Sequence, residues 1–395
     1  MDTATPLSSD TAVERARALI PLLQANAARA EQDRRLTDEV VEALTREGMF
    51  KLLLPRRYGG YETPLRTFLD VTSTLSEGDG ASGWLVAVCN SCAWMACLFP
   101  KQARDEVFGS GGAPIVSGVV APTSTTRRVD GGFTVTGRWN YNSGSWHADW
   151  AVLGVPLTDA DGEVVDQGLA LVPARDYTVE ETWFTTGLRA TGSNTLVVED
   201  VFVPDHRVVS LPPLFAGTHP VEEGQTPVYR SAFAPFVSTV IVGPLLGLGR
   251  AALETVTRRA PDKAIAFTFF EKQTDSVAYQ VAVAEAALRI DTAHLHAYRA
   301  ADAVDRAAAQ GVHPDALTRA RIRAVLGHVV ENVTAAVDGL MHVHGSGGFA
   351  EADPLQRVWR DAHMAARHAV VQPSIGKEIY GKALLGVDEK ISPMA

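Results

Sequence analysis

The periodicity of this chain changes twice along its length, and that double change constrains the fold more than any single residue does. From about Thr11 to Arg104, apolar residues recur at helical spacing. From Pro114 to about Ser210 the chain turns rich in Val, Thr and Trp, in short runs broken by Gly, Pro or Asp roughly every ten residues. After a stretch rich in Pro, Gly and Thr (Leu211 to Thr226), helical spacing returns and holds to the end. Repeats of 3.6 and 2 residues cannot share one element. The chain therefore reads as a helical part, a β part and a second helical part, with domains over 1–113, 114–212 and 213–395.

Local signals place the elements. Thr37 reads as a helix cap, with Asp38 and Glu39 in the first turn, Val40, Val41 and Leu44 on one face, and Gly48 as the stop. Thr63-Pro64 opens a second helix. Trp84 to Phe99 is apolar on every side, as befits a helix enclosed by others. In the β part, Val129-Asp-Gly-Gly-Phe133 reads as a hairpin turn between IVSGVVA and FTVTGRW. The β part is a small barrel or sandwich. Asp275 to Gln310 is a long amphipathic pattern; Pro314 and Pro354 each read as opening a further helix, which together suggest an antiparallel bundle.

Composition excludes several classes. Charged residues make up 21% of 395, with a formal net charge of -10 and no Lys/Arg run longer than a pair, so a nucleic-acid or anionic-membrane partner is not expected. Cys89, Cys92 and Cys97 lie in one apolar stretch, which reads as buried free thiols in a reducing, cytoplasmic setting. Met1 to Asp10 is polar and carries no secretory signal. Gly83–Pro100 and Ser231–Gly249 are apolar but read as buried helices rather than membrane spans.

Several motifs lose to plainer readings. Gly247-Leu-Gly249-Arg-Ala-Ala252 matches a dinucleotide fingerprint but sits in continuous helix, where close packing through small residues explains it better. His294-x-His296 and His342-x-His344 point to opposite helix faces, so neither pair chelates a metal. Three segments remain. Gly137 to Trp150 (GRWNYNSGSWHADW) interleaves aromatics with hydroxyls and amides, suited to a planar heteroatom-rich ring or to ordinary strand packing. Gly345-Ser-Gly347-Gly348-Phe349 lets backbone approach a phosphate closely. Arg357 to His368 (RVWRDAHMAARH) carries two histidines able to exchange protons near neutral pH, or to sit on a solvated helix face.

Taken in order, these segments resemble the acyl-CoA dehydrogenase superfamily over about Leu19 to Leu385. GSGGFAEADPLQRVWRD has its glycine loop, Pro and Arg-Asp pair; TGLRATGSNTLVVEDVFVPDHR looks like its second β-domain signature. The resemblance implies an α+β fold of N-terminal helical domain, middle β-barrel and C-terminal four-helix bundle, usually tetrameric. The common dehydrogenases carry a Glu base eight residues after that Asp. Here the position is Ala369, preceded by His368. This departure resembles the flavin-dependent monooxygenase branch: oxygenase components of two-component aromatic and polyketide hydroxylases, with related N- and S-oxygenases. A dehydrogenase or oxidase with a relocated base, and a flavin-free scaffold, stand as the rival readings.

The resemblance also implies a site. Reduced flavin, as FMNH2 or FADH2, would react with O2 through a flavin hydroperoxide to hydroxylate a phenolic substrate. The flavin would diffuse from a separate NAD(P)H-dependent reductase. An Arg-x-x-Phe-Gly holding the FAD adenine half is not recognisable around Arg258 to Phe270, which tilts the choice toward FMN. Ser143 falls at flavin N5, with Tyr141 flanking the ring; Ser145, Ala121, Gly345, Gly347 and Gly348 complete the cofactor set. His368 stands as proton donor or base, or alternatively as a helix-capping or core residue, and His363 as a second catalytic candidate. Substrate contacts are expected from the Trp84–Trp94 helix and the Ser231–Gly243 region, with Asn90, Trp94, Phe233 and Phe236 as the candidates.

Overall fold

A computed structural model describes residues 8–221 and 226–394; part of the polar opening Met1–Asp10 and part of the Leu211–Thr226 stretch lie outside the described residues. The first segment forms α1 (Ser9–Asp33), α2 (Asp38–Arg46), α3 (Leu65–Gly78), α4 (Gly80–Ala96) and α5 (Lys101–Phe108). Ser8 and Thr37 cap α1 and α2 by accepting the N–H of Thr11 and Val40. Asp79 caps α4 in the same way through Ser82. Every residue of α4 except Val88 is buried, which is why its sequence shows no polar face. The three cysteines are buried and free.

The β segment departs from the sequence reading in two ways. Its strands are β1 (Val116–Val119), β2 (Ser124–Val129), β3 (Gly132–Asn142), β4 (Trp150–Thr158), β5 (Val164–Pro173), β6 (Thr178–Glu180), β7 (Asn194–Pro204) and β8 (Val208–Ser210). The hairpin turn at Asp130-Gly131 is real, with Gly131 at φ +74°, but it joins β3 to β2. IVSGVVA supplies β1 instead, which runs parallel to β4 in the other sheet. STTRRV escaped notice as a strand because its exposed edge position selects Arg and Thr rather than apolar residues. The second departure is closure. The strands form two separate four-stranded sheets, β1-β4-β5-β8 and β2-β3-β7-β6, the sandwich of the two residue-based alternatives and not the barrel that the resemblance implied. Phe133, Val135 and Trp139 of one sheet face Leu153, Val155 and Val172 of the other. The Trp139 indole N–H crosses the layer to the Gly154 carbonyl at 2.8 Å.

The last segment contains α6 (Leu211–Ala216), α7 (Phe233–Val240), α8 (Val242–Arg259), α9 (Val277–Gln310), α10 (Ala316–His344), α11 (Pro354–Ala365) and α12 (Pro373–Leu385). α10 packs against α8, α9 and α12, and α8 also packs on α3. Asp315 caps α10 through Thr318, so Pro314 lies just outside the helix rather than in its first turn. The Gly247 motif lies inside α8, where a Cβ on Gly247 would run into the Ser73 carbonyl of α3. Helix contact, not a nucleotide turn, explains these glycines. The stretch Phe233–Asp262 is long and apolar enough to cross a membrane, but 89% of its most apolar window is buried inside the protein. One hydrophobic core runs through both helical segments, and α4 lies within it against β1.

Candidate active site

β3 ends in a strained corner. Tyr141 sits at φ +70°, a conformation that a bulky side chain adopts only where its surroundings hold it there. Its ring is 68% exposed and rests edge-on against Trp183, with centroids 5.9 Å apart. Ser143, two residues on, is buried. The Ser143 Oγ accepts the Trp84 indole N–H at 3.1 Å and lies 2.9 Å from the Ser193 Oγ. Ser193 in turn lies 2.6 Å from the Thr191 Oγ1, which donates to the Leu188 carbonyl at 2.9 Å.

The Trp84 indole also meets His368, at 5.7 Å between ring centroids and 60° between planes. α4 thus holds the serine of the β segment and the histidine of the last helical segment against one side chain. His368 caps the 3₁₀ turn Ala369–Val371, its Nδ1 accepting the Val370 N–H at 3.4 Å. That leaves the proton on Nε2 in the neutral ring. Loss of hydration, and then the Arg323 guanidinium, lower its pKa from 6.5 to about 4. Arg323 donates to the Ala369 carbonyl at 2.8 Å and to the Ser238 Oγ of α7 at 3.1 Å, pinning the His368 turn to both helices.

Asp361, the acid of the Arg-Asp pair, serves the other half of the cluster. It is buried, and its Oδ1 accepts the Leu188 N–H at 2.6 Å. Leu188 has φ +49°, so this bond stabilises a strained turn. Burial and the nearby Asp79 carboxylate push the Asp361 pKa up to about 7 against the opposing Leu188 bond.

Other sequence candidates fall elsewhere. The His363 Nε2 lies 2.9 Å from the Asp338 Oδ1 and its ring packs on Trp359, so it belongs to a surface pairing and not to the Ser143 cluster. Asn90 has both amide hydrogens on the Met49 and Val86 carbonyls and its oxygen on the Leu53 N–H; it secures backbone and has no donor left for a substrate. Trp94 stacks on Phe236 at 3.9 Å, touches Phe233 and donates to the Val228 carbonyl. These three aromatics fill their own core. Ser238 is the residue of α7 that links to the His368 turn. The Ser145 hydroxyl is spent on the Gly192 carbonyl at 2.7 Å. Ala121 is exposed, and its carbonyl accepts the Thr123 N–H.

The glycine loop is also separate within one chain. Gly345 closes α10 and the turn Ser346–Phe349 precedes α11, whereas His368 lies just past the far end of that helix, whose 12 residues span about 18 Å. The loop instead adjoins the Arg259–Asp353–His344 cluster and Lys263, whose Nζ donates to the His344 carbonyl. Sequence reasoning pointed to the Trp84–Trp94 helix and the Ser231–Gly243 region without singling out Trp84 or Ser238, and it did not name Thr191, Ser193 or Arg323. Of these, only the Gly-split hydroxyl pair Thr191-Gly-Ser193 carried a visible signal.

Comparison with known proteins defines the class first. Residues 239–373 match the family described as acyl-CoA dehydrogenase, C-terminal domain. The structure of XiaF from Streptomyces sp., in complex with FADH2 and glycerol, superposes with a TM-score of 0.93 at 40% identity over 97% of each chain. The HsaA oxygenase subunit of a flavin-dependent monooxygenase from Rhodococcus jostii is 34% identical over 95% of this chain and 98% of its own length. The oxygenase component of an FADH2-dependent resorcinol hydroxylase from Rhizobium sp. is 29% identical over 96% of this chain and 95% of its own. The chain belongs to the flavin-dependent monooxygenases of the acyl-CoA dehydrogenase superfamily, as an oxygenase component.

Proposed function

We propose that this enzyme hydroxylates a flat phenolic or polyketide-like aromatic with reduced flavin and O2 at the Ser143–Trp84–His368 cluster. The carrying observation is that one indole holds a buried serine hydroxyl and a neutral imidazole, with Ala369 in place of a carboxylate base. The residues fit a flavin ring: Tyr141 offers an exposed aromatic face, and the Ser143 Oγ, with two partners, keeps one lone pair unused. When bound, reduced flavin supplies the electrons that activate O2. The protein's part is to exclude water and to place donors. With its Nδ1 facing the Val370 N–H and a pKa of about 4, His368 works as an Nε2–H donor to the reacting oxygen rather than as a base.

Two of the relatives named above carry FADH2 in their names, which supports FAD over the tilt toward FMN. The resorcinol hydroxylase supports a phenol as substrate, and its being one component of a pair supports a separate reductase delivering flavin by diffusion. Divisions at 113 and 212, a C-terminal four-helix bundle of α8, α9, α10 and α12, a homotetramer in which the Gly345–Gly348 loop meets cofactor away from Ser143, and a cytoplasmic location belong to the same reading.

The test is mixing of the protein with reduced FAD, O2 and a panel of phenols, followed by mass spectrometry of products and by hydrogen peroxide release. A phenol gaining one oxygen, with peroxide suppressed, is expected. Anaerobic reduction of oxidised FAD by an acyl-CoA, with no phenol product, would overturn it.

A further inference from the structure

The three hydroxyls beside Trp84 have only one proton order that satisfies every contact. Thr191 Oγ1 lies 2.9 Å from the Leu188 carbonyl, which also accepts the Trp183 indole N–H at 2.8 Å and the Thr191 N–H at 3.2 Å; because that oxygen cannot donate, only a Thr191 proton directed at it avoids a bare oxygen–oxygen contact. Thr191 can then meet Ser193 at 2.6 Å only by accepting the Ser193 proton. With that proton committed, Ser193 meets Ser143 at 2.9 Å only by accepting in turn. The Ser143 proton is thereby fixed toward Ser193. The Trp84 N–H, a donor only, takes one Ser143 lone pair. Any other order leaves two oxygens in contact with no hydrogen between them, in a place where all three side chains are buried. The far end is anchored as well, because the Asp361 carboxylate holds the Leu188 N–H and so the turn that presents the carbonyl.

We infer that Thr191 and Ser193 are positioning residues that make Ser143 a hydrogen-bond acceptor only, and that this polarity selects reduced over oxidised flavin. The inference rests on the reading above that the flavin ring lies against Ser143. Flavin N5 carries a hydrogen when reduced and a bare lone pair when oxidised. An acceptor-only Ser143 pairs with the first and opposes the second. The selection is built from hydroxyls one and two contacts removed from Ser143.

The experiment measures the dissociation constants of oxidised and dithionite-reduced FAD, anaerobically, for the wild type and four variants. Ser193→Ala and Thr191→Val each free the Ser143 proton to turn toward N5. Both are expected to lower the preference for reduced FAD by roughly 3- to 10-fold, chiefly by tightening oxidised FAD. The midpoint potential of bound flavin then falls, a tenfold change being about 30 mV for a two-electron couple. Thr191→Ser keeps the hydroxyl and retains the wild-type ratio. It also serves as the folding control for Thr191→Val. Ser143→Ala weakens the reduced form more than the oxidised one. If Ser143→Ala shifts the ratio while Ser193→Ala and Thr191→Val leave it within twofold of wild type, the proton order is wrong. If Ser143→Ala moves neither affinity, the flavin ring is not at Ser143 and the functional reading fails first.

Discussion

Trp84 donates one hydrogen bond to Ser143, so the two residues should be energetically coupled by about the worth of that bond. Trp84→Phe keeps an aromatic ring but deletes the N–H that sits 3.1 Å from the Ser143 Oγ. The lost bond costs about 1 kcal/mol, because Ser143 keeps Ser193 as a partner and is not left bare. The missing ring atoms leave a small void in a site only 5% exposed, adding roughly 1 kcal/mol at ~24 cal/mol per Å³. Ser143→Ala strands the buried indole N–H without its acceptor and should cost about 2 kcal/mol. In the double variant donor and acceptor disappear together, so the shared bond is counted once. The expected loss is about 3 kcal/mol rather than about 4, a coupling of about 1 kcal/mol.

The assay is urea unfolding of the wild type, both single variants and the double variant, with stabilities compared at unchanged m-value. Additivity within about 0.3 kcal/mol would show that the indole and the hydroxyl do not share a bond, and the geometry assigned to the cluster would be wrong. A functional companion uses the same variants: Trp84→Phe should raise hydrogen peroxide release at the expense of product, since Ser143 loses one of its two anchors.

Three further outcomes follow from the structure. With its pKa near 4, His368 stays neutral from pH 5.5 to 8, so kcat/KM should show no limb near 6.5 that disappears in His368→Gln, while that variant loses roughly 100-fold in product formation. By linkage, the stability associated with the depressed His368 pKa is full above 6.5 and is lost as pH falls toward 4. Asp361 runs the other way: its pKa is raised from 3.8 to about 7, so its contribution is full at low pH and is lost as pH rises through 7. Asp361→Asn should therefore lower Tm more at pH 5 than at pH 8, and the reverse order would contradict the assignment. Gly247→Ala should destabilise by about 1–3 kcal/mol through the clash of α8 with the Ser73 carbonyl of α3, and a neutral result in urea would rule out that contact.

What the sequence revealed and what it hid follow from the range of the interactions involved. Thr37 as a cap, the Asp130-Gly131 turn and the change from helical to strand periodicity are local, and each survives in the structure. β2 was hidden because an exposed edge strand is recognised by its partner β3, not by its own Arg and Thr. Ser143 was singled out by its place in a family motif and His368 by its place before Ala369. Trp84, which contacts both, was marked only as the end of a helix expected to meet substrate. It lies in a helix apolar on all sides, where periodicity gives no direction and every large side chain looks like core. The same ambiguity sent the substrate reading to Trp94, Phe233 and Phe236, which do form an aromatic cluster but satisfy one another. Arg323 was missed for a different reason. A cation in a helix reads as solvated face, yet here two hydrogen bonds carry it into the interior, where its charge helps keep His368 neutral. On the proposed reading the chemistry depends on residues whose types are ordinary and whose meaning is set by neighbours far away in sequence, and the proton direction inferred along Ser143, Ser193 and Thr191 rests on oxygen–oxygen distances that no sequence pattern carries.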